Sequence, residues 1–363
     1  MGAVPESLPQ GVPAADVPRA LRLHQEKPPV PTKPPTVLKR AAGGGITWGL
    51  PRVFSGYTAQ VDTGIGGKAT KWVLRHHAHQ NDFYIAKFGN KNGKIEILTE
   101  LFNNQLGTAL GFEMAHSGLA RLDDDLYFIT RNFRQEQERL VHGSLMVEQV
   151  FAAPKATEQI SPSQEQAFYT IDAIRDVIYA FCGPDSDAVF QRFADMLIFD
   201  ALIGCMDRHA QNWGVLQTTT EPGRRRLAPI FDSARAFFWD IPDGRLARYE
   251  SNAGLFLKYV ENSKPCIGPE PDHPKINECN HFDLVENLLR LYPHQTEVGL
   301  RKIPSDPGLE AANILGGFPF ENAFTGVRKR LILKTLNARA ERLRDILQKG
   351  GEYATDQRQV TST

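Results

Sequence analysis

The sequence predicts an α+β protein of two lobes, a small strand-rich amino-terminal lobe and a larger, mainly helical carboxy-terminal lobe. Three observations carry that prediction. Between Trp48 and about Arg134, short apolar runs such as Lys71–Leu74 and Phe83–Phe88 read as strands, with one helical stretch among them. From Arg139 onward apolar residues recur at three and four, as in Phe168, Ile171, Ile174 and Ile178. Inside that helical half, a buried helix leads into a strand hairpin whose ends carry polar residues, Asp207 to Asn212 and then Asp232. The expected organisation is a tail over 1–46, a first lobe over 47–136, a second over 137–349 and an unstructured end over 350–363.

The tail has nine prolines between Pro5 and Pro35, then Gly43-Gly44-Gly45. Such a segment favours extended polyproline geometry and buries too little apolar surface to fold alone. It reads as a spacer or as a docking peptide for an SH3-like groove. In the first lobe, Lys87 stands in the otherwise apolar run Phe83-Tyr84-Ile85-Ala86-Lys87-Phe88. A lysine in an apolar strand needs a charge partner, because an unpaired buried ammonium loses its proton. The helix expected over Ile95–Leu110 offers Glu96 and Glu100, and Glu100 lies a turn deeper among its apolar positions. Upstream, Gly64, Gly66, Gly67 and Lys68 form a glycine-rich turn whose backbone can approach phosphate oxygens closely. It is not a P-loop, since Asp62 and Ala69 stand where that motif requires Gly and Ser or Thr. The strand-like Lys71–Leu74 after it makes a strand–turn–strand cover the better reading.

The second lobe supplies the chemistry. Val189, Phe190, Phe193, Leu197, Ile198 and Leu202 mark a buried helix over about Asp187–Ile203, which Gly204 ends by entering the left-handed conformation. Asp207-Arg208-His209-Ala210-Gln211-Asn212 follows, then the strand Trp213–Leu216, a polar turn ending in Arg224-Arg225-Arg226, and a returning strand Leu227–Phe231 before Asp232. A hairpin brings Asn212 and Asp232 to one edge, where they can share one hard cation, Mg²⁺. An Asp, an Asn five residues on and a second Asp are the trio that phosphoryl transfer of the protein-kinase type uses. His209 reads as an orienting group of this loop. Arg224–Arg226 reads as a solvated tip.

Lys87 with Glu100, LGTALG at 106–111, DALIGCMDRHAQNWGVL at 200–216 and LAPIFDSARAF at 227–237, in that order, resemble the HipA-like kinases. These are bacterial atypical serine/threonine kinases, with a two-lobed fold related to phosphatidylinositol kinases and eukaryotic protein kinases. The resemblance runs from about Trp48 to Leu347. It implies a kinase using ATP and Mg²⁺, with Asp207 as catalytic base, Arg208 and His209 beside it in the loop, and Asn212 and Asp232 on the metal. It implies that Lys87, held by Glu100, contacts the ATP phosphates under the glycine loop. Tyr127–Phe133 falls where the hinge lining the adenine pocket is expected, and Ser55, Thr58 and Thr63 are candidates for a regulatory phosphorylated residue. Three departures stand out. Ser233 follows Asp232 where a DFG triplet has Phe, and Ser55–Gln60 competes with Gly64–Lys68 for the loop. The chain also has no room for the amino-terminal subdomain of toxin-type members, which argues against an antitoxin partner.

Composition narrows the rest. Lys plus Arg equals Asp plus Glu at 42 each, so no global basic field points to nucleic acid. No apolar run reaches the length of a membrane span, and the first ten residues lack a secretory pattern. The four cysteines show no CxxC spacing, as expected in a reducing, cytoplasmic compartment, although a secreted effector role stays open. Cys266, His273, Cys279 and His281 have gaps unlike those of a known zinc finger. Three functions are therefore weighed: a protein Ser/Thr kinase able to act on itself, a kinase for a small-molecule or lipid hydroxyl, and a non-catalytic nucleotide-binding regulator.

Overall fold

The computed structural model describes residues 57–61, 71–76, 83–88, 93–122, 125–151, 169–220, 223–271, 273 and 278–360. The Pro-rich tail and the glycine turn with Gly64, Gly66, Gly67 and Lys68 lie outside the described residues. So do Ser55 and Thr63.

Five strands form the small lobe: β1 (Tyr57–Val61), β2 (Lys71–His76), β3 (Phe83–Lys87), β4 (Ser117–Leu122) and β5 (Asp125–Arg131). They make one antiparallel sheet in the order β1-β2-β3-β5-β4. The helix α1 (Lys94–Ala109) interrupts the meander after β3 and packs on β4 and β5. Its buried positions Ile97, Leu98, Leu101, Phe102 and Leu106 recur at helical spacing, so one stripe faces the core. Glu100 lies on that stripe and is buried with it.

Residues 132–137 then lead into a second sheet, β6 (Glu138–His142), β7 (Gly214–Thr218) and β8 (Arg225–Leu227), joined antiparallel in that order. Tyr127–Phe133, expected as the hinge, therefore divides. Its first five residues belong to β5, and the crossing begins at Asn132. The returning strand, expected over Leu227–Phe231, instead runs Arg225–Leu227, two residues into the expected turn. Pro229 has no N–H for a ladder, and beyond β8 the chain crosses to the first lobe, where Ile230 bridges Met114 in parallel. That bridge fixes the residue before Phe231-Asp232 against the turn that follows α1. Arg225 and Arg226 are not a solvated tip. Arg226 donates to Glu138 at 2.9 and 3.0 Å, and Arg225 lies over the Phe181 ring.

The large lobe is helical: α2 (Gly143–Phe151), α3 (Ile171–Cys182), α4 (Ser186–Ile203), α5 (Asp243–Ser251), α6 (Ala253–Glu261), α7 (His281–Leu291), α8 (Pro293–Leu300), α9 (Pro307–Gly316), a short α10 (Phe320–Ala323) and α11 (Gly326–Val360). α4 is buried on nearly every side and forms the axis of the lobe, with α3, α7, α8 and α11 around it. It ends at Gly204 with φ 70°, the left-handed cap that the sequence points to. α11 continues to Val360, into the stretch expected to have no regular structure. No described helix is long and apolar enough to cross a membrane.

Candidate active site

Lys87 ends β3 and points to the side of the sheet that carries α1. Its Nζ donates to Glu100 Oε1 at 3.0 Å, the partner the sequence favours over Glu96, and to Asp232 Oδ1 at 2.8 Å. Two carboxylates from different lobes thus share one ammonium. Burial works against the Lys87 charge, but Asp232 and then Glu100 more than offset it and hold the amine protonated. Burial also opposes the Asp232 charge, yet Lys87 brings that carboxyl down to about 2. Burial pushes Glu100 up to about 7 against the pull of Lys87. Asp232 has φ 59°, a conformation uncommon for residues other than glycine and often found where a side chain is aimed for function.

The loop after α4 is organised from inside by Arg208, whose side chain is 1% exposed. Nε and Nη2 grip both oxygens of Asp200 at 2.8 and 2.9 Å, in the fork-to-carboxylate geometry that arginine supports. Nη1 donates to the carbonyls of Asn212 and Phe231, and Nη2 donates to Ser233 Oγ at 2.9 Å. One side chain therefore ties α4, the 207–212 loop and the 231–233 segment together. Burial disfavours the charge on Arg208, and Asp200 outweighs that. From below, the Asn280 cap of α7 sets His281, whose Nε2 donates to the Cys205 carbonyl at 2.8 Å. From α1, Asn103 Nδ2 donates to the Ser233 carbonyl at 2.6 Å.

Asp207 emerges from this frame with its carboxylate partly open. Arg235 Nη1 donates to its Oδ1 at 2.9 Å, while Arg235 itself is 41% exposed and stacks over Trp239. Burial is the largest influence on Asp207 and raises it to about 6, with Arg235 pulling down and Asp232 pushing up. Asn212 is buried, and its Nδ2 donates to the Asp207 carbonyl at 2.7 Å. The amide nitrogen being engaged there, the side-chain oxygen is left as the atom of Asn212 able to bind a cation. An amide oxygen and an ionised carboxylate are a hard donor set, which fits Mg²⁺. His209 is lowered, by burial first, and its Nδ1 accepts from the Gln211 amide at 3.3 Å.

A narrow gap of about 10 Å³ opens beside these groups, lined by Glu100, Phe128, Thr130, Phe231 and Asp232 among others. Phe133, in the crossing between lobes, stacks on Phe231 at 5.7 Å between ring centres. The structure thus gathers Lys87, Glu100 and Asp232 by direct contact, and Asp207, Arg208 and Asn212 on one loop joined to Asp232 through Arg208. Asp200, Arg235, Asn103 and Ser233 were missed in the sequence. For Asp200 a signal existed. A carboxylate within Met196-Leu197-Ile198-Phe199-Asp200-Ala201-Leu202 requires a buried partner. The run was read only for its apolar periodicity.

The model of the HipA-like C-terminal domain matches residues 63–257. A curated relative, the serine/threonine-protein kinase CtkA of Helicobacter pylori, is 27% identical over 184 residues, covering 48% of this chain and 51% of the relative. The chain thus matches about half the length of that protein. The crystal structure of a Helicobacter pylori proinflammatory kinase CtkA superposes with a TM-score of 0.59 at 19% identity, over 78% of this chain and 95% of that one. That likeness shows the kinase-like two-lobed fold. The HipA of a Shewanella oneidensis MR-1 toxin–antitoxin complex follows at a TM-score of 0.46 and 12% identity, over 84% and 68% of the two chains. With the family match extending from before β2 into α6 and so across both lobes of the site, the chain belongs to the HipA-like C-terminal domain family.

Proposed function

We propose that the protein is a kinase that transfers the terminal phosphoryl group of ATP to a serine or threonine of a protein, itself included. The observation that carries this reading is the convergence of Lys87, Asp232 and Glu100 from two lobes beside the Asp207–Asn212 loop. Lys87 is fully charged and anchored by Glu100, as a side chain that binds phosphate oxygens must be. Asn212 Oδ1 and Asp232 would hold Mg²⁺, which when bound neutralises charge that develops on the phosphates. Lys87, anchored by Glu100, would contact phosphate oxygens of the nucleotide. Asp207, raised to about 6 by burial, is ionised at neutral pH yet basic enough to accept the proton of an acceptor hydroxyl. Arg208 acts through the others, by holding the Asn212 and Phe231 carbonyls in register. The glycine turn at Gly64–Lys68 is the expected cover of the phosphates. The relative named as a serine/threonine-protein kinase supports a protein acceptor.

Incubation with Mg²⁺ and γ-labelled ATP, followed by mass spectrometry, tests the acceptor. Phosphoserine or phosphothreonine on wild-type protein and not on Asp207→Asn is the expected result. Tight MgATP binding without any transfer to protein would redirect the reading to a small-molecule hydroxyl.

A further inference from the structure

A base must present one oxygen to the proton it takes, and the backbone of the 207–212 loop does not by itself decide which. The last torsion of an aspartate is broad, so an unheld carboxylate turns with little preference. Among the described residues one donor reaches the Asp207 carboxylate: Arg235 Nη1 donates to Oδ1 at 2.9 Å, and none donates to Oδ2. The Asp207 side chain is 24% exposed. An acceptor hydroxyl must come within hydrogen-bond reach of the base, and Oδ2 is the oxygen left for it.

Arg235 is itself held. Its carbonyl accepts from the Met206 amide at 3.0 Å, which ties it through the main chain to the residue before Asp207. Its guanidinium lies 5.3 Å from the centre of the buried Trp239 ring. Between Arg235 and Trp239 the chain takes an uncommon course, with φ of 42° at Phe237 and 46° at Phe238. Positive φ at a phenylalanine persists only where the surroundings impose it. Here Arg328, 1% exposed, donates to the carbonyls of Phe238 and Ile241 at 2.9 and 2.6 Å. Tyr259 stacks on Phe238 at 3.9 Å between ring centres. The enforced turn brings Trp239 back beneath Arg235. With Arg235 half exposed, its ion pair to Asp207 adds little to folding stability. What the pair decides is the direction of the carboxylate.

We propose that Arg235 is a positioning residue for phosphoryl transfer, occupying Oδ1 of Asp207 so that Oδ2 faces the acceptor hydroxyl. The inference rests on the kinase reading. In the step it serves, the hydroxyl proton passes to Oδ2 and the hydroxyl oxygen bonds to the terminal phosphorus of ATP. The bond from that phosphorus to its bridging oxygen breaks, and ADP leaves. Arg235 acts through Asp207 and not on either reactant.

Turnover of γ-labelled ATP, with a randomised serine- and threonine-containing peptide mixture as acceptor, tests it. The proteins are wild type, Arg235→Ala, Arg235→Lys, Asp207→Asn and the double variant Arg235→Ala/Asp207→Asn. Arg235→Ala should lower kcat about tenfold to a hundredfold while KM for MgATP and the melting temperature stay at their wild-type values. Arg235→Lys should recover part of the loss. Removing Arg235 from Asp207→Asn should cost nothing further, as expected of two groups that act as a unit. An unchanged kcat, a loss carried by KM for MgATP, or losses that multiply in the double variant would each overturn the proposal. A lowered melting temperature that accompanies the loss in both Arg235 variants would assign a structural role, against it. A wild type that transfers nothing would remove the kinase reading and the proposal with it, whereas full activity of Arg235→Ala beside an active wild type would remove the assignment of Arg235 alone.

Discussion

At the residue scale the account turns on three carboxylates whose surroundings set them apart. Asp232 is held down to about 2 by Lys87, Asp207 is raised to about 6 by burial, and Glu100 is pushed up to about 7. A base must be deprotonated to act, so its rate contribution is present above its folded pKa and lost as pH falls through it. The pH profile of kcat/KM for MgATP, which reports the free enzyme, should accordingly drop tenfold per unit below about pH 6, and a profile flat from pH 5 to 8 would remove Asp207 from the role of base. Lys87→Met should weaken nucleotide binding and leave two buried carboxylates without their cation. A melting scan should show it less stable than wild type, by about 3 kcal/mol. Lys87, Asp207, Asn212 and Asp232 stood out in the sequence as polar residues at fixed offsets beside apolar runs, and the fold brings them together. Arg235 was not legible, since an arginine three residues after Asp232 carries no spacing signal of its own, and only the folded turn brings it to Asp207.

At the element scale the site is the junction of one helix end, one loop and one strand end, and Arg208 is the shared fastening. Arg208→Lys keeps the charge but loses the fork that grips Asp200 and the two carbonyls together. It should destabilise the protein by about 3–5 kcal/mol in denaturant unfolding, the range for a broken buried pair. A loss under about 1 kcal/mol would mean that the loop is fixed by other means. Gly204 makes a second check. At φ 70° an alanine costs about 1 kcal/mol, and its Cβ would also meet the Arg339 guanidinium at 3.4 Å. Gly204→Ala should therefore lower the melting temperature modestly while shifting the Asp207 loop enough to reduce turnover. Helices were read well where their stripes were long, as for α1 and α4, whose observed ends fall within one residue of expectation. The returning strand was placed too late, over Leu227–Phe231 instead of Arg225–Leu227, because Ile230 is apolar for a different reason. It bridges Met114 across the lobes, and pairing between distant segments leaves no local pattern.

At the scale of the whole molecule, two lobes contribute unlike parts to one cleft. The antiparallel sheet and α1 bring the Lys87–Glu100 pair, and the helical lobe brings the acidic loop and Asp232. The lobe division was visible in sequence as a change of apolar period from two to near 3.6, at about the point where β5 gives way to the crossing. The central claim is that the Asp207–Asn212 loop and Asp232 serve one reaction with separable duties. Turnover of γ-labelled ATP and the melting shift produced by MgATP, measured together on wild type, Asp207→Asn and Asp232→Asn, test it most directly. Asp207→Asn should keep the MgATP shift and lose turnover by about 10²–10⁴-fold, while Asp232→Asn should lose both. A wild-type protein that neither shifts with MgATP nor transfers phosphate would contradict the account.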